Sequence, residues 1–243
     1  VTLATGSAGT IGSGDYLKQI FPNSKIAAGE ATECPTMLVN GFGEHRIEGI
    51  GDKHIPWIHN VRNTDMAIAI DDEASISLIR LFNEPAGHAY LADQGVSQDF
   101  IDKLPLLGIS CVANMLMAIK FAKFYELTGN DVVMTVATDS MEMYQSRLVE
   151  LNEERGEFTA LDAAAAYHQY LMGQSLANVQ ELGHYERKRI HNLKYYTWVE
   201  QQGKTYEEIQ AQWYDPDYWT SIQVMADPID EMIEAFNEQV DAQ

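Results

Sequence analysis

The chain has 243 residues, 46% of them apolar, and carries a formal charge of −20 from 36 acidic against 16 basic residues. That length can bury a substantial core, and the acid excess excludes a nucleic-acid surface, which needs clustered Lys and Arg. No run approaches the roughly 18 apolar residues of a membrane span and no signal-peptide pattern opens the chain. The only two cysteines, Cys34 and Cys111, argue against a disulfide framework and fit a reducing, cytoplasmic setting.

In chain order, short apolar runs bounded by turn or charged residues predict strands at Val1–Thr5, Lys25–Gly29, Asp65–Ile70 and Asp131–Ala137. Helical patterns lie between them. Asp15–Phe21 is short. Asp72–Phe82 carries Ile76, Ile79 and Phe82 on one face, with Asp71, Asp72 and Glu73 at its positive end. Cys111–Leu127 is apolar almost all round in its first three turns, so full burial is expected. Asp139–Asn152 follows the last strand. Strands alternating with helices imply an α/β fold with a parallel sheet flanked by helices. From about Glu153 the chain reads as helices separated by turns at Gly183, Gly203, Pro216 and Pro228. We therefore expect an α/β domain over residues 1–152 and an acidic helical extension over 153–243. From Val199 onward, eleven Asp and Glu face a single Lys. The chain opens on Val1, inside a strand-like run, and is expected to be a fragment.

Between the first strand and helix lies TGSAGTIGSG, Thr5 to Gly14. Glycines there let backbone N–H groups approach an anion, and the helix start adds positive dipole. TGSAGTIG also fits the TGxxGxxG pattern of extended short-chain dehydrogenases, with Glu30 near the end of the next strand as a ribose ligand. Against that reading, none of the twelve tyrosines has the Lys four residues on that such enzymes use. Tyr185 comes nearest, with Arg189. A structural glycine turn is the bland alternative.

Three further motifs follow in order: GIGDKHIP (Gly49 to Pro56), GIS (Gly108 to Ser110) before the buried helix, and VVMTVATDS (Val132 to Ser140). Together with GSAGT (Gly6 to Thr10), they resemble the C-terminal half of the cysteine synthase and cystathionine β-synthase family, over roughly residues 1–150. That resemblance implies a tryptophan synthase β-like fold, large-domain portion, and pyridoxal 5′-phosphate as cofactor. It implies that Gly6, Ser7, Ala8, Gly9 and Thr10 wrap the cofactor phosphate and that Ser110 faces the pyridine nitrogen. Gly49, Ile50 and Gly51 would border the substrate cleft. Asp52, Lys53 and His54, where relatives often carry small or aromatic residues, would stand at its edge, as substrate contacts or as solvated side chains. For Ser110 the bland alternative is an ordinary helix N-cap.

The implied activity is β-elimination or β-replacement on a small amino acid, cysteine synthase-like. The alternatives are an NAD(P)-dependent epimerase or reductase, and a non-catalytic partner subunit of the same fold. The family's Schiff-base lysine precedes the phosphate loop, and none of the nine lysines here matches its motif; the chain alone is expected to be inactive. A homo-oligomer or a partner subunit is expected, with no nucleic acid and no membrane. The insertion Glu84–Leu106 reads as a lid or a subunit contact. His54 with His59, and His184 with His191, lack matching carboxylate or cysteine spacing, so no metal is expected. The basic HYERKRIH (His184 to His191) is expected to pair with the acidic tail or a neighbouring subunit.

Overall fold

The computed structural model describes residues 1–5 and 9–241. Three short strands run parallel: β1 (Thr2–Ala4), β2 (Ala27–Ala31) and β3 (Met66–Ile70), with Thr2 opposite Ala27 and Ala27 opposite Met66. Every residue of β2 and β3 is buried. A sheet covered on both faces needs such unbroken runs, AAGEA and MAIAI, rather than alternating polarity. A fourth strand, β4 (Val179–Glu181), pairs antiparallel with β3 and completes the order β1-β2-β3-β4.

Helix α1 (Gly9–Ile20) connects β1 to β2, and a long loop carrying the one-turn α2 (Thr36–Val39) leads from β2 to β3. Helix α1 starts six residues earlier than Asp15, so the glycines from Gly9 to Gly14 are helical. Helix α3 (Asp72–Asn83) follows β3. Its N-cap is Asp71, whose carboxylate accepts from the N–H groups of Glu73 (2.8 Å) and Ala74 (3.2 Å). The face predicted for it is buried, Ile76, Ile79 and Phe82 included.

The 84–106 insertion forms α4 (Pro85–Asp93), α5 (Gln98–Ile101) and a 3₁₀ turn. It is no detached lid, because Leu91, Ile101 and Leu104 belong to the main core. Helix α4 packs tightly on α3: a Cβ at Gly87 would stand 2.1 Å from the carbonyl oxygen of Leu81.

Helix α6 (Ile109–Phe124) is the central helix, packed on β1, β3 and α3. After it, a 3₁₀ turn (Met141–Tyr144) leads into α7 (Gln145–Arg155) and α8 (Ala160–Ala166), in place of one continuous helix from Asp139. The side chains of α7 and the loop after it are tied to α3 through Arg80. This buried guanidinium meets Glu84, Asn152 Oδ1 (2.7 Å) and the Gly156 carbonyl (2.9 Å), and stacks 4.9 Å from the Phe158 ring centroid.

The segment Asp131–Ala137 corrects the expectation of a strand. It lies beside β1, but a single main-chain bond joins it there among the described residues, from Thr2 N–H to the Met134 carbonyl (2.9 Å). Its alternate apolar side chains face outward, with Val132 84% and Met134 53% exposed. What fixes this segment is the side chains of α6, described below. The fourth ladder position went instead to Val179–Glu181, which has no apolar run to announce it. Lys120 brings that stretch in by donating to the carbonyls of Ser175 (2.9 Å) and Ala177 (2.8 Å).

The chain divides into two compact units, 1–190 and 191–243. Residues 153–190 go with the sheet because Phe158, Ala163 and Ala166 enter its core and β4 joins its edge. The second unit contains the end of α9 (His184–Asn192), a π-helical turn, α10 (Tyr206–Tyr214), α11 (Tyr218–Gln223) and α12 (Ala226–Asp241). Helix α10 begins with a capping box between Thr205 and Glu208. Inside this unit the Lys194 ammonium is wholly buried, donates to Gln212 Oε1 (2.6 Å) and lies 5.4 Å from the Trp219 ring centroid. Burial pulls its pKa down to about 7. Among the described residues, no single helix is long and apolar enough to cross a membrane.

Candidate active site

Ligand crevices in open α/β sheets lie beyond the carboxyl ends of the parallel strands. Here that edge gathers the end of β1, the start of α1, the N-terminus of α6 and the loop around Gly49. Gly6, Ser7 and Ala8 lie outside the described residues, as does the side chain of Thr10. The residues around them are fixed. Thr5 N–H (2.9 Å) and Thr5 Oγ1 (2.7 Å) both donate to the Gly29 carbonyl, and Gly9 opens α1.

Asn114 joins the end of β1 to α6. Its Oδ1 accepts from Ala4 N–H at 2.9 Å, and its Nδ2 donates to the Val136 carbonyl at 2.9 Å. Ser110 lies one turn earlier on the same face of α6. The end of β1, Ser110 and the 136–139 segment therefore hang on one helical face.

Ser110 is not the cap of its helix: Gly108 occupies that position, and Ser110 sits in the first turn. Its Oγ is 3.0 Å from Thr138 Oγ1. Beside it, the Cys111 thiol meets the carbonyl oxygen (3.4 Å) and Oδ1 (3.5 Å) of Asp139, and Thr138 N–H donates to the sulfur at 3.2 Å. Tyr144 donates its hydroxyl to Asp139 Oδ2 at 2.5 Å, which pushes the phenol up to about 12. Gly108 is required here, since a Cβ would stand 2.0 Å from Asp139 Oδ1.

Gly49 meets Ser110 directly. A Cβ built on it would lie 3.6 Å from Ser110 Cβ and 3.7 Å from Oγ, so a side chain there would cover the hydroxyl. Its φ of 84° suits glycine. Ile50 turns into the core. The Gly51 carbonyl accepts from His45 Nε2 (3.1 Å) and the Cys34 thiol (3.7 Å), while Thr36 Oγ1 donates to the Asp52 carbonyl (2.8 Å). Lys53 is exposed, and Asp52 and His54 are half-buried. Partial burial raises the Asp52 carboxyl, against the pull of the His54 and His45 rings.

Glu30 is not available to a ribose. Its carboxylate is buried and accepts from Met37 N–H and Leu38 N–H, both at 2.9 Å. Burial raises its pKa to about 7. Two arginines of the basic cluster are engaged within residues 1–190. Arg187 pairs with Asp65 (3.0 Å), and Arg189 donates to the Met37 carbonyl (2.6 Å). No group of three or more His, Cys, Asp or Glu among the described residues forms a metal site.

Sequence reading missed Asn114, Thr138 and Asp139 as site residues. Asn114 carried a usable signal, as the one amide in the otherwise apolar first three turns of α6. Thr138 and Asp139 fell at the junction between the expected strand, Asp131–Ala137, and the expected helix that begins at Asp139.

The chain is 29% identical over 142 residues to cysteine synthase B of Campylobacter jejuni, covering 58% of this chain and 40% of that protein. It is also 29% identical over 144 residues to a probable cysteine synthase of Bacillus subtilis, covering 59% and 40%. The chain thus spans about two-fifths of the length of these curated relatives. O-acetyl serine sulfhydrylase isoform 3 from Entamoeba histolytica superposes with a TM-score of 0.51 at 22% identity, over 70% of this chain and 45% of that one. This likeness shows the fold, and it agrees with the fold the four motifs imply. No family model matches the chain.

Proposed function

We propose that this chain carries the phosphate-binding and ring-nitrogen side of a pyridoxal 5′-phosphate enzyme that eliminates or replaces the β-substituent of a small amino acid, as its cysteine synthase relatives suggest. One observation carries the reading: Asn114 bonds Ala4, the residue before Thr5 and the glycine bend, one helical turn from Ser110. The residues present fit such a cofactor. A cradle that a Cβ would fill lies over the Ser110 hydroxyl at Gly49, and the bend leads into the N-terminus of the twelve-residue helix α1. When bound, the cofactor draws electrons from the amino acid's α-carbon and so lets the β-substituent leave.

In this reading Gly6, Ser7, Ala8, Gly9 and Thr10 bind the phosphate through main-chain N–H groups and hydroxyls. The Ser110 hydroxyl donates to the pyridine nitrogen; a neutral donor leaves that nitrogen unprotonated, which suits chemistry at the β-carbon. Gly49, Ile50 and Gly51 border the amino acid, and the Cys34, Thr36 and His45 side chains hold that loop in place through the Gly51 and Asp52 carbonyls. Asp52, Lys53 and His54 supply the polar rim. No lysine in this sequence matches the family's Schiff-base motif, so we further propose that the chain is inactive alone. The dinucleotide alternative loses support because both Glu30 oxygens serve α2.

Thermal denaturation tests the reading. Pyridoxal 5′-phosphate should raise the midpoint and NAD should not. Stabilisation by NAD alone would overturn it.

A further inference from the structure

We infer that Thr138 is a positioning residue that sets the direction of the Ser110 hydroxyl, turning its proton into the cleft as a donor to a ring nitrogen. This rests on the cofactor reading above and adds a residue to it.

One small network sets where the protons go. The Cys111 thiol has one proton and two acceptors close by, the Asp139 carbonyl oxygen at 3.4 Å and Oδ1 at 3.5 Å. The sulfur in turn accepts from Thr138 N–H at 3.2 Å. With the thiol proton committed to Asp139 and the sulfur already an acceptor, the Thr138 hydroxyl proton has one short acceptor, Ser110 Oγ at 3.0 Å. In the opposite polarity Ser110 would donate to Thr138. The Thr138 proton would then go to the sulfur, 3.7 Å away, or, Thr138 being exposed, to solvent. Once a bound ring displaces solvent from this edge, the first polarity is favoured, because a hydroxyl oxygen at 3.0 Å is a far better acceptor than a thiol at 3.7 Å. It leaves the Ser110 proton unspent, on the side where Gly49 lacks a Cβ.

The Asp139 end of the network is anchored independently. Tyr144 donates to Oδ2, and Gly108 N–H donates to the Asp139 carbonyl at 3.0 Å. Thr138 therefore cannot drift without breaking bonds on both sides. It reaches a bound ring only through Ser110, which is why its removal should be felt by the ring nitrogen and not by the phosphate.

Two probes separate these effects by isothermal titration of the whole chain. The first is 4′-deoxypyridoxine 5′-phosphate, which has the pyridine nitrogen and phosphate but no aldehyde to react with surface lysines. The second is benzyl phosphate, which has the phosphate and a ring without nitrogen. The wild-type chain should prefer the first. Thr138→Val should weaken it about fivefold, the range expected for one misdirected hydrogen bond, and leave benzyl phosphate within twofold. Thr138→Ser should restore wild-type affinity for the pyridine probe. Equal affinity of Thr138→Val and wild type for the pyridine probe overturns the inference, as does equal weakening of both probes, which marks a merely structural role. Wild-type protein that binds neither probe removes the cofactor reading, and this inference with it.

Discussion

Replacing Asn114 by Ala removes a side chain that satisfies two main-chain groups at once, Ala4 N–H and the Val136 carbonyl, each at 2.9 Å. Asn114 is 2% exposed, and Ala4 is half-buried. A buried donor left without a partner costs about 1–3 kcal/mol, and a bond whose acceptor can find water about 0.5–1.5 kcal/mol. Val136 is 36% exposed, so its carbonyl belongs to the second class. The sum is about 2–4 kcal/mol, read as a lower urea midpoint at unchanged m, followed by far-ultraviolet circular dichroism. Asn114→Asp adds a control with the opposite pH behaviour. Ionised, it keeps the acceptor for Ala4 and sets a second oxygen against the Val136 carbonyl. Protonated, it regains a donor, so its deficit should shrink as the pH falls towards 4. A loss below about 0.5 kcal/mol for Asn114→Ala, or an Asp variant equally impaired at every pH, would refute the account of this clamp.

Other outcomes follow from buried charges and tight glycines. Glu30, raised to about 7 in the folded chain against about 4.3 unfolded, contributes stability that is complete below its unfolded value and lost as the pH rises through 7. The span is about 4 kcal/mol, and Glu30→Gln should flatten that slope in denaturation curves taken from pH 4 to 8. Lys194 behaves in the other sense. With its folded pKa lowered to about 7, the unfolded state holds the extra proton between pH 7 and about 10.4, so stability of the helical unit rises across that window by about 5 kcal/mol. Lys194→Met should abolish the rise, observed through tryptophan fluorescence, because Trp198, Trp213 and Trp219 all lie in residues 191–243. Gly87→Ala should cost more than about 2 kcal/mol, since its Cβ meets a main-chain oxygen at 2.1 Å that has no room to move; an unchanged melting temperature would contradict the α3–α4 contact. Gly49→Ala, strained by about 1 kcal/mol at its positive φ, should cost more in affinity for the pyridine probe than in stability.

The three parallel strands were legible because burial on both faces leaves small and apolar residues in unbroken runs, as in MAIAI. Helix α3 was legible from its 3.6-residue periodicity and its acidic start. The same run-length rule misled at Asp131–Ala137, whose alternate apolar residues face outward and whose position depends on Ser110, Cys111 and Asn114. Nothing local distinguishes such a segment from a strand, because its partners lie some twenty to thirty residues away. Strand β4 was invisible for the reverse reason. Val179–Glu181 has no pattern of its own and is held by pairing with β3 and by Lys120 at its entrance. Around the candidate site, the adjacency of Gly49 and Ser110 was implied by motifs and Asn114 stood out as a lone amide in an apolar helix, whereas Thr138 required the fold. The Glu30 carboxylate looked available in sequence only because the turn of helix that occupies it is four residues long and carries no strong signature.

The short antiparallel β4 has a bearing on how this acidic chain behaves when crowded. Only three residues, Val179, Gln180 and Glu181, present an open edge on that side, too brief and too polar a template to recruit a foreign strand. The opposite margin, where Val132 and Met134 look outward beside β1, lacks such protection. A further strand laid against this chain would therefore find its place along that margin rather than along β4, and a Lys at position 134 should hinder such pairing.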